Sequence, residues 1–127
     1  MSGNSLEQLR EICLALPEAT EKPFGGHTDP TWRVRDKIFV MFNGSDHGAG
    51  ELSLWCKAPP GAQDVLVVGD PARFFVPPYV GHNGWVGVRL DGPVDWDIVA
   101  RLVTDSYRMT APKRLLAQLE GAGPPAR

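Results

Sequence analysis

Two short stretches of the sequence place a histidine near a carboxylate, an arrangement that could transfer protons. His27 precedes Asp29 by two residues, and Asp46 precedes His47 directly. An imidazole held near a carboxylate can act as a general acid or base close to neutral pH. An enzyme of this kind would need a pocket that joins His27, Asp29 and Glu21. Because both stretches are rich in turn residues, we interpret them as solvated loops and expect no catalytic site.

The other reactive residue types lack the neighbours that their chemistry requires. Ser106 falls on a predicted helix, outside the Gly-x-Ser-x-Gly turn of a hydrolase nucleophile. Cys13 and Cys56 are the only cysteines, and Cys13 shares the apolar face of a predicted helix, which favours a core position. No histidine or cysteine has a second ligand at metal-binding spacing, and no glycine pattern precedes Lys-Ser or Lys-Thr. We therefore expect a non-enzymatic protein without a metal or a cofactor.

A first group of basic residues lies on a predicted hairpin and could contact nucleic-acid phosphates. Thr31–Arg35 alternates apolar with basic residues, so Arg33 and Arg35 should face away from Trp32. Asp36 and Lys37 follow, and they form the turn that separates the two predicted strands. The alternative is an ordinary solvent-facing side of an antiparallel sheet, which carries charge in any case.

A second basic group lies near the C-terminus of the chain. It has four cations and one acid between positions 101 and 114: Arg101, Arg108, Lys113, Arg114 and Asp105. Pro112 is expected at the first position of a last helix, whose free amide groups would act with Lys113 and Arg114 on an anion. We predict nucleic-acid contacts by Arg108, Lys113 and Arg114, with a plain solvated surface as the alternative.

Several aromatic residues could instead form the rim of a groove for a protein or a small ligand. A domain of this size has little room to bury every aromatic side chain, so some are expected at an exposed apolar surface. Trp85 could stack on a base, although a Trp that begins a strand beside two valines is more often part of the core. The candidate rim residues are Phe24, His27, Trp32, Trp55, Tyr79 and Trp85.

The strongest structural signal is a strand followed directly by an amphipathic helix. Residues 85–90 are mainly apolar after a glycine-rich turn and end at Gly92-Pro93, which predicts a strand. From Asp95 the apolar residues recur with the period of one helical face as far as Tyr107. A helix of this kind must fold back over a sheet.

The remaining elements follow from caps, breakers and alternation along the chain. A capping box at Ser5 to Gln8 begins a helix that Pro17 ends. The predicted elements that follow are a loop rich in proline and glycine at 17–30, a hairpin at 31–42, a third strand at 51–57 and a short helix at 62–68. After them come a short stretch at 74–76, at a sheet edge or in a loop, and a last helix from Pro112.

Length and composition bound the class of protein. The 127 residues suffice for one domain, predicted at 1–120 with a flexible tail at 121–127, and 43% of them are hydrophobic. The formal net charge of -2 means that any nucleic-acid surface must be local. No apolar run is long enough to span a membrane and the first residues do not resemble a signal peptide, so we expect a cytoplasmic protein, a monomer or a weak dimer.

Several motifs, in this order and spacing, resemble the MmcQ/YjbR family of small bacterial proteins. They are Leu16 to Glu21 with Pro23-Phe24-Gly25, Trp32 to Phe39, Gly84-Trp85-Val86, Ser106-Tyr107-Arg108 and Ala111 to Arg114. The resemblance implies a two-layer α+β domain, with an antiparallel sheet of about five strands packed by helices in the order α-β-β-β-α-β-β-α. It also implies a DNA-binding-like protein with paired hairpin wings and no agreed catalytic residues. DNA is therefore the expected partner, and a protein- or small-ligand-binding adaptor is the alternative.

Overall fold

A computed structural model describes residues 5–23, 29–43, 52–77, 80–90 and 94–121. Within these residues the backbone forms one antiparallel sheet of six strands in the order β1-β2-β3-β4-β6-β5. The strands are β1 (Thr20–Pro23), β2 (Pro30–Val34), β3 (Lys37–Asn43), β4 (Ser53–Cys56), β5 (Phe74–Phe75) and β6 (Val86–Arg89). The helices are α1 (Ser5–Leu14), α2 (Ala62–Gly69), α3 (Trp96–Thr110) and α4 (Lys113–Gly121).

The α+β class and the antiparallel sheet confirm the predicted fold class, with two additions to the predicted order. The first is β1, which lies in the stretch that was predicted to be a loop. Proline is tolerated at the end of an edge strand because the edge needs no further ladder donor, so Pro23 does not prevent this short strand. The second is a further helix after α3, since the order implied by the resemblance ends in one helix. This is α4, which agrees with the last helix predicted from Pro112.

The β2–β3 hairpin turns on two residues with left-handed backbone conformation. Arg35 has a φ of 52° and Asp36 a φ of 68°. Two consecutive positive φ angles are typical of a type I′ turn, whose twist matches that of the two strands. The turn therefore lies one residue earlier than the predicted Asp36-Lys37.

One face of the sheet, here called the core face, packs against the helices. α3 lies on β3 and β4, and α1 packs on α3. The Asp95 side chain caps α3 by accepting hydrogen bonds from the amides of Asp97 and Ile98 at 3.1 and 3.3 Å. The apolar face of α3 is buried at Val99, Leu102, Val103 and Tyr107.

A β-bulge in β3 adds one aromatic ring to the core. Trp32 pairs with Val40 and Arg33 pairs with Ile38, so Phe39 is the extra residue between them. Phe39 is fully buried, and its ring meets that of Tyr107 edge-on, with the centroids 5.6 Å apart. The bulge thus lets two adjacent residues of β3 face the core.

Candidate nucleic-acid interface

The basic residues of the hairpin differ in how far their charge is compensated. Arg35 Nε donates to Glu18 Oε1 at 2.9 Å, so this cation already has a carboxylate partner. Arg33 instead donates to two neutral acceptors, the Thr31 hydroxyl at 3.3 Å and the Pro23 carbonyl at 3.5 Å. Among the described residues, the hairpin therefore offers Arg33, rather than Arg35, as a cation without a carboxylate partner.

The second basic group lies where α3 ends and α4 begins, on the helical side of the molecule. Arg108, Lys113 and Arg114 are exposed there. In the part of the chain that the structure describes, Lys113 and Arg114 form no ion pair. A shallow concavity of about 430 Å³ on α3 is lined by Ala100, Arg101, Thr104, Asp105 and Arg108. We call Arg108, Lys113 and Arg114 the helix-junction group.

The candidate aromatic rim is divided between the core and the surface. Trp32 is fully buried and Trp85 is only 6% exposed, so neither offers a ring to a partner. The indole N–H of Trp32 donates to Glu21 Oε1 at 3.1 Å, which fixes that ring in the core. Trp55 is half-buried on the sheet. The other candidates, Phe24, His27 and Tyr79, lie outside the described residues.

Trp55 belongs to a row of side chains on the side of the sheet opposite the core face, here called the second face. Met41 pairs with Trp55, Trp55 pairs with Gly87, and Gly87 pairs with Phe75. Because residues directly opposite one another project to the same side, these four positions cross β3, β4, β6 and β5 in one line. The row continues through Thr31 and Lys22 to β1.

Gly87 lets the aromatic ring of the neighbouring strand lie across it. A Cβ atom at this position would overlap the end of the Phe75 ring. On the same ring, the Arg89 guanidinium carbon lies 4.7 Å from the centroid, within the range of a cation–π contact. Trp55, Phe75 and Arg89 therefore form a patch of two aromatic rings and one cation.

Among the described strand residues, the charged side chains on the second face are all positive. Strand alternation from the row places Arg33 and Arg89 on the same side as Lys22. No aspartate or glutamate occupies a second-face position among the described strand residues. At the turn, Asp36 approaches Lys22 with an Oδ1 to Nζ distance of 3.7 Å. Both side chains of that pair are largely exposed, so it holds Lys22 only weakly.

The indole nitrogen of Trp55 is also unusual. Among the described residues it is the buried side-chain polar atom that has no hydrogen-bond partner. Buried donors are nearly always paired, as the N–H of Trp32 is. No hydrogen bond therefore fixes the orientation of the Trp55 ring.

The residues considered for an enzyme are placed in structural roles where they are described. Both carboxylate oxygens of Glu21 accept from Arg10, at 2.8 and 3.0 Å, and this hydrogen bonding lowers the pKa of Glu21. Burial raises the pKa of Cys56 to about 12 and also raises that of Cys13. His27, Asp46 and His47 lie outside the described residues.

Ser106 likewise serves the fold. Its buried hydroxyl lies within hydrogen-bond distance of the carbonyl of Leu102, at 3.0 Å, and of that of Lys57. This arrangement ties α3 to the end of β4. Among the described residues, no group of three or more potential ligands could hold a metal ion.

Comparison with known proteins identifies the family. The YjbR family model matches residues 14–109. The chain belongs to the YjbR family. The crystal structure of the Deinococcus radiodurans protein DR2400, with the domain DUF419, superimposes with a TM-score of 0.72 at 20% identity, over 86% of this chain and 80% of that one.

The family match confirms the resemblance seen in the sequence motifs, and the structural likeness confirms the α+β fold of this YjbR-family protein. No curated protein matches the chain. In the described portion, no helix is long and apolar enough to cross a membrane.

Sequence reasoning missed Met41, Phe75 and Arg89 as members of the second face. A signal was present, because a glycine inside a strand often marks the close approach of another group, and Gly87 lies between Trp85 and Arg89. The identity of the approaching group could not be read from the sequence. Phe75 is twelve residues away along the chain and reaches Gly87 only through strand pairing.

Proposed function

We propose that this YjbR-family protein binds nucleic acid through the second face of its sheet, as a non-enzymatic binding module. The observation that carries the proposal is the composition of that face, which combines the cations Lys22 and Arg33 with the half-buried aromatic residues Trp55 and Phe75 and has no acidic strand residue among those described. Phosphate contacts require unneutralised cations. A protein with a net charge of -2 can supply them only where acids are locally absent.

The basic residues of the hairpin have different roles in this interface. Arg33 is the phosphate contact of the hairpin because, in the part of the chain that the structure describes, its guanidinium meets only neutral acceptors. Arg35 contributes less, since Glu18 already lies at hydrogen-bond distance. Lys37 is exposed at the start of β3 and adds charge to the hairpin end. The helix-junction group is a separate surface, on the other side of the sheet.

Two double variants with the same change in net charge separate the two surfaces. Lys22→Glu with Arg33→Glu reverses two cations of the second face, and Lys113→Glu with Arg114→Glu reverses two of the helix junction. We expect the first pair to weaken binding of a DNA oligonucleotide at least about tenfold at low salt and to reduce the salt slope by about two. The second pair should change the affinity by less than about threefold.

The measurement is fluorescence anisotropy across a salt series, after circular dichroism has shown that both variants fold. Loss of binding only in the helix-junction pair would move the interface to α3 and α4 and overturn the proposal. Unchanged affinity in both pairs, or no binding by the natural chain at low salt, would reject nucleic-acid binding. An adaptor for a protein or a small ligand would then be the better hypothesis.

A further inference from the structure

We infer that the nucleic acid is single-stranded and that its bases stack on the patch formed by Trp55, Phe75 and Arg89. This inference rests on the proposed function and adds the form of the partner to it. Bases in a duplex stack on one another, so a half-buried aromatic ring on a sheet cannot reach their faces. Only an unpaired base presents a free π-surface to such a platform.

The geometry of the patch suits adjacent bases. Trp55 and Phe75 stand on strands separated by β6, which places their backbones about 10 Å apart for a strand spacing near 4.8 Å. The position between them is Gly87, and the Phe75 ring lies over it, towards Trp55. Both rings therefore border one continuous surface, with no side chain of β6 standing between them.

Arg89 gives this patch a second kind of stacking surface. Its guanidinium lies over the Phe75 ring at 4.7 Å from the centroid. Guanidinium planes stack on unpaired bases as aromatic rings do. Arg89 therefore extends the stacking surface beyond the two aromatic rings.

The distribution of charge sets a path across the sheet. Arg89 lies near the β5 edge, Trp55 and Met41 lie in the middle, and Lys22 and Arg33 lie near the β1 edge. Five strand spacings span about 24 Å, which is enough for about four nucleotides of an extended strand. We therefore expect a short site, with base stacking towards the β5 edge and phosphate contacts from Lys22 and Arg33 at the β1 edge.

The unpaired indole N–H of Trp55 is consistent with a ring that adjusts to its ligand. Trp32 is held by Glu21, whereas no hydrogen bond to a described residue holds Trp55. A ring held by packing alone can turn to lie flat against a base.

The decisive experiment compares three ligands of equal phosphate number on the natural chain. These are a single-stranded oligothymidylate, the same strand with abasic sites, and a duplex. We expect the oligothymidylate to bind at least about tenfold more tightly than the other two, because each stacked base contributes substantially to affinity. Equal affinity for the three ligands, or a preference for the duplex, would overturn the inference while leaving phosphate binding intact.

A pair of variants tests the platform itself. Trp55→Ala should weaken oligothymidylate binding about tenfold or more and should leave the affinity for the abasic strand within about twofold. Trp55→Phe keeps a ring on the face and should stay within about threefold of the natural chain. Equal losses for the natural and abasic strands in Trp55→Ala would show that stacking is not the interaction. Failure of the proposed function is a distinct result, in which no ligand binds at low salt.

Discussion

At the scale of single residues, Glu21 illustrates how one carboxylate can connect three elements. It accepts two hydrogen bonds from Arg10 of α1 and one from the buried indole of Trp32 in β2, while lying in β1 itself. These bonds favour the charged form, and the hydrogen bond from Arg10 is the largest cause of its lowered pKa. The residue that sequence analysis considered for catalysis therefore anchors the first strand.

Replacing this carboxylate should cost stability in a pH-dependent way. We expect Glu21→Gln to lower the free energy of unfolding at pH 7 by about 1–3 kcal/mol, since it weakens charge-assisted hydrogen bonds at a partly buried site. Because the folded-state pKa lies below the ordinary value of 4.5, the contribution is present above that pH and is lost as the pH falls through the folded value. Urea unfolding of both proteins at pH 7 and at pH 3.5 measures the difference.

Glu7→Gln is the matched control for this measurement. Glu7 also binds Arg10, at 2.9 Å, but its side chain is 63% exposed. Its removal should cost less than about 0.5 kcal/mol at either pH. A difference between the natural chain and Glu21→Gln that stays constant with pH would contradict the assigned role.

At the scale of elements, the β5 edge depends on one glycine. β5 has only two residues, Phe74 and Phe75, and it pairs with β6 alone. Phe74 faces the core, whereas the Phe75 ring crosses Gly87 on the second face. So short a strand has few backbone hydrogen bonds, and its position relies on these two contacts.

Gly87→Ala should therefore displace the ring and loosen this edge. We expect the free energy of unfolding to fall by about 1–3 kcal/mol, as is typical of a group forced into a packed site. The same substitution made in a Phe75→Ala background should cost much less, because the clashing ring is gone. Gly69→Ala is the control, since a Cβ there meets nothing within 4 Å. Additive effects of Gly87→Ala and Phe75→Ala in thermal unfolding would refute this account.

At the scale of the whole molecule, the core joins elements from both ends of the described chain. Leu9 and Cys13 of α1, Cys56 of β4 and Leu115 of α4 all belong to one buried cluster. Both cysteines are fully buried, and burial raises their thiol pKa values. Their reactivity can therefore report whether the helices and the sheet unfold as one unit.

Thiol labelling of the native protein should be slow and should occur together at the two sites. A buried thiol with a raised pKa has little thiolate and no access to the reagent, so labelling needs an opening of the fold. We expect Cys13→Ser and Cys56→Ser, each with one thiol left, to be labelled at equal rates after correction for stability. Mass spectrometry over time measures both rates. Faster labelling at Cys13 would indicate that α1 opens separately from the sheet.

The sequence by itself determined the features that depend on local pattern. Periodicity placed the main strands and the face of α3, and the motif order indicated the YjbR family and its α+β fold. These features could be predicted because caps, breakers and alternation act within a few residues. The same local rules hid β1, since a proline such as Pro23 is tolerated in a strand mainly at a sheet edge, and the edge position of β1 follows only from the sheet order.

Tertiary structure alone decided which candidate side chains share a surface. Trp32 and Trp55 were both candidates for the aromatic rim in the sequence. In the structure Trp32 donates a hydrogen bond to Glu21 in the core, whereas Trp55 lies on the second face. Arg33 and Arg35 were likewise equivalent in the sequence, yet only Arg35 has the Glu18 carboxylate beside it among the described residues. Strand register and ion pairing join residues that are distant along the chain, and no local pattern encodes those partners.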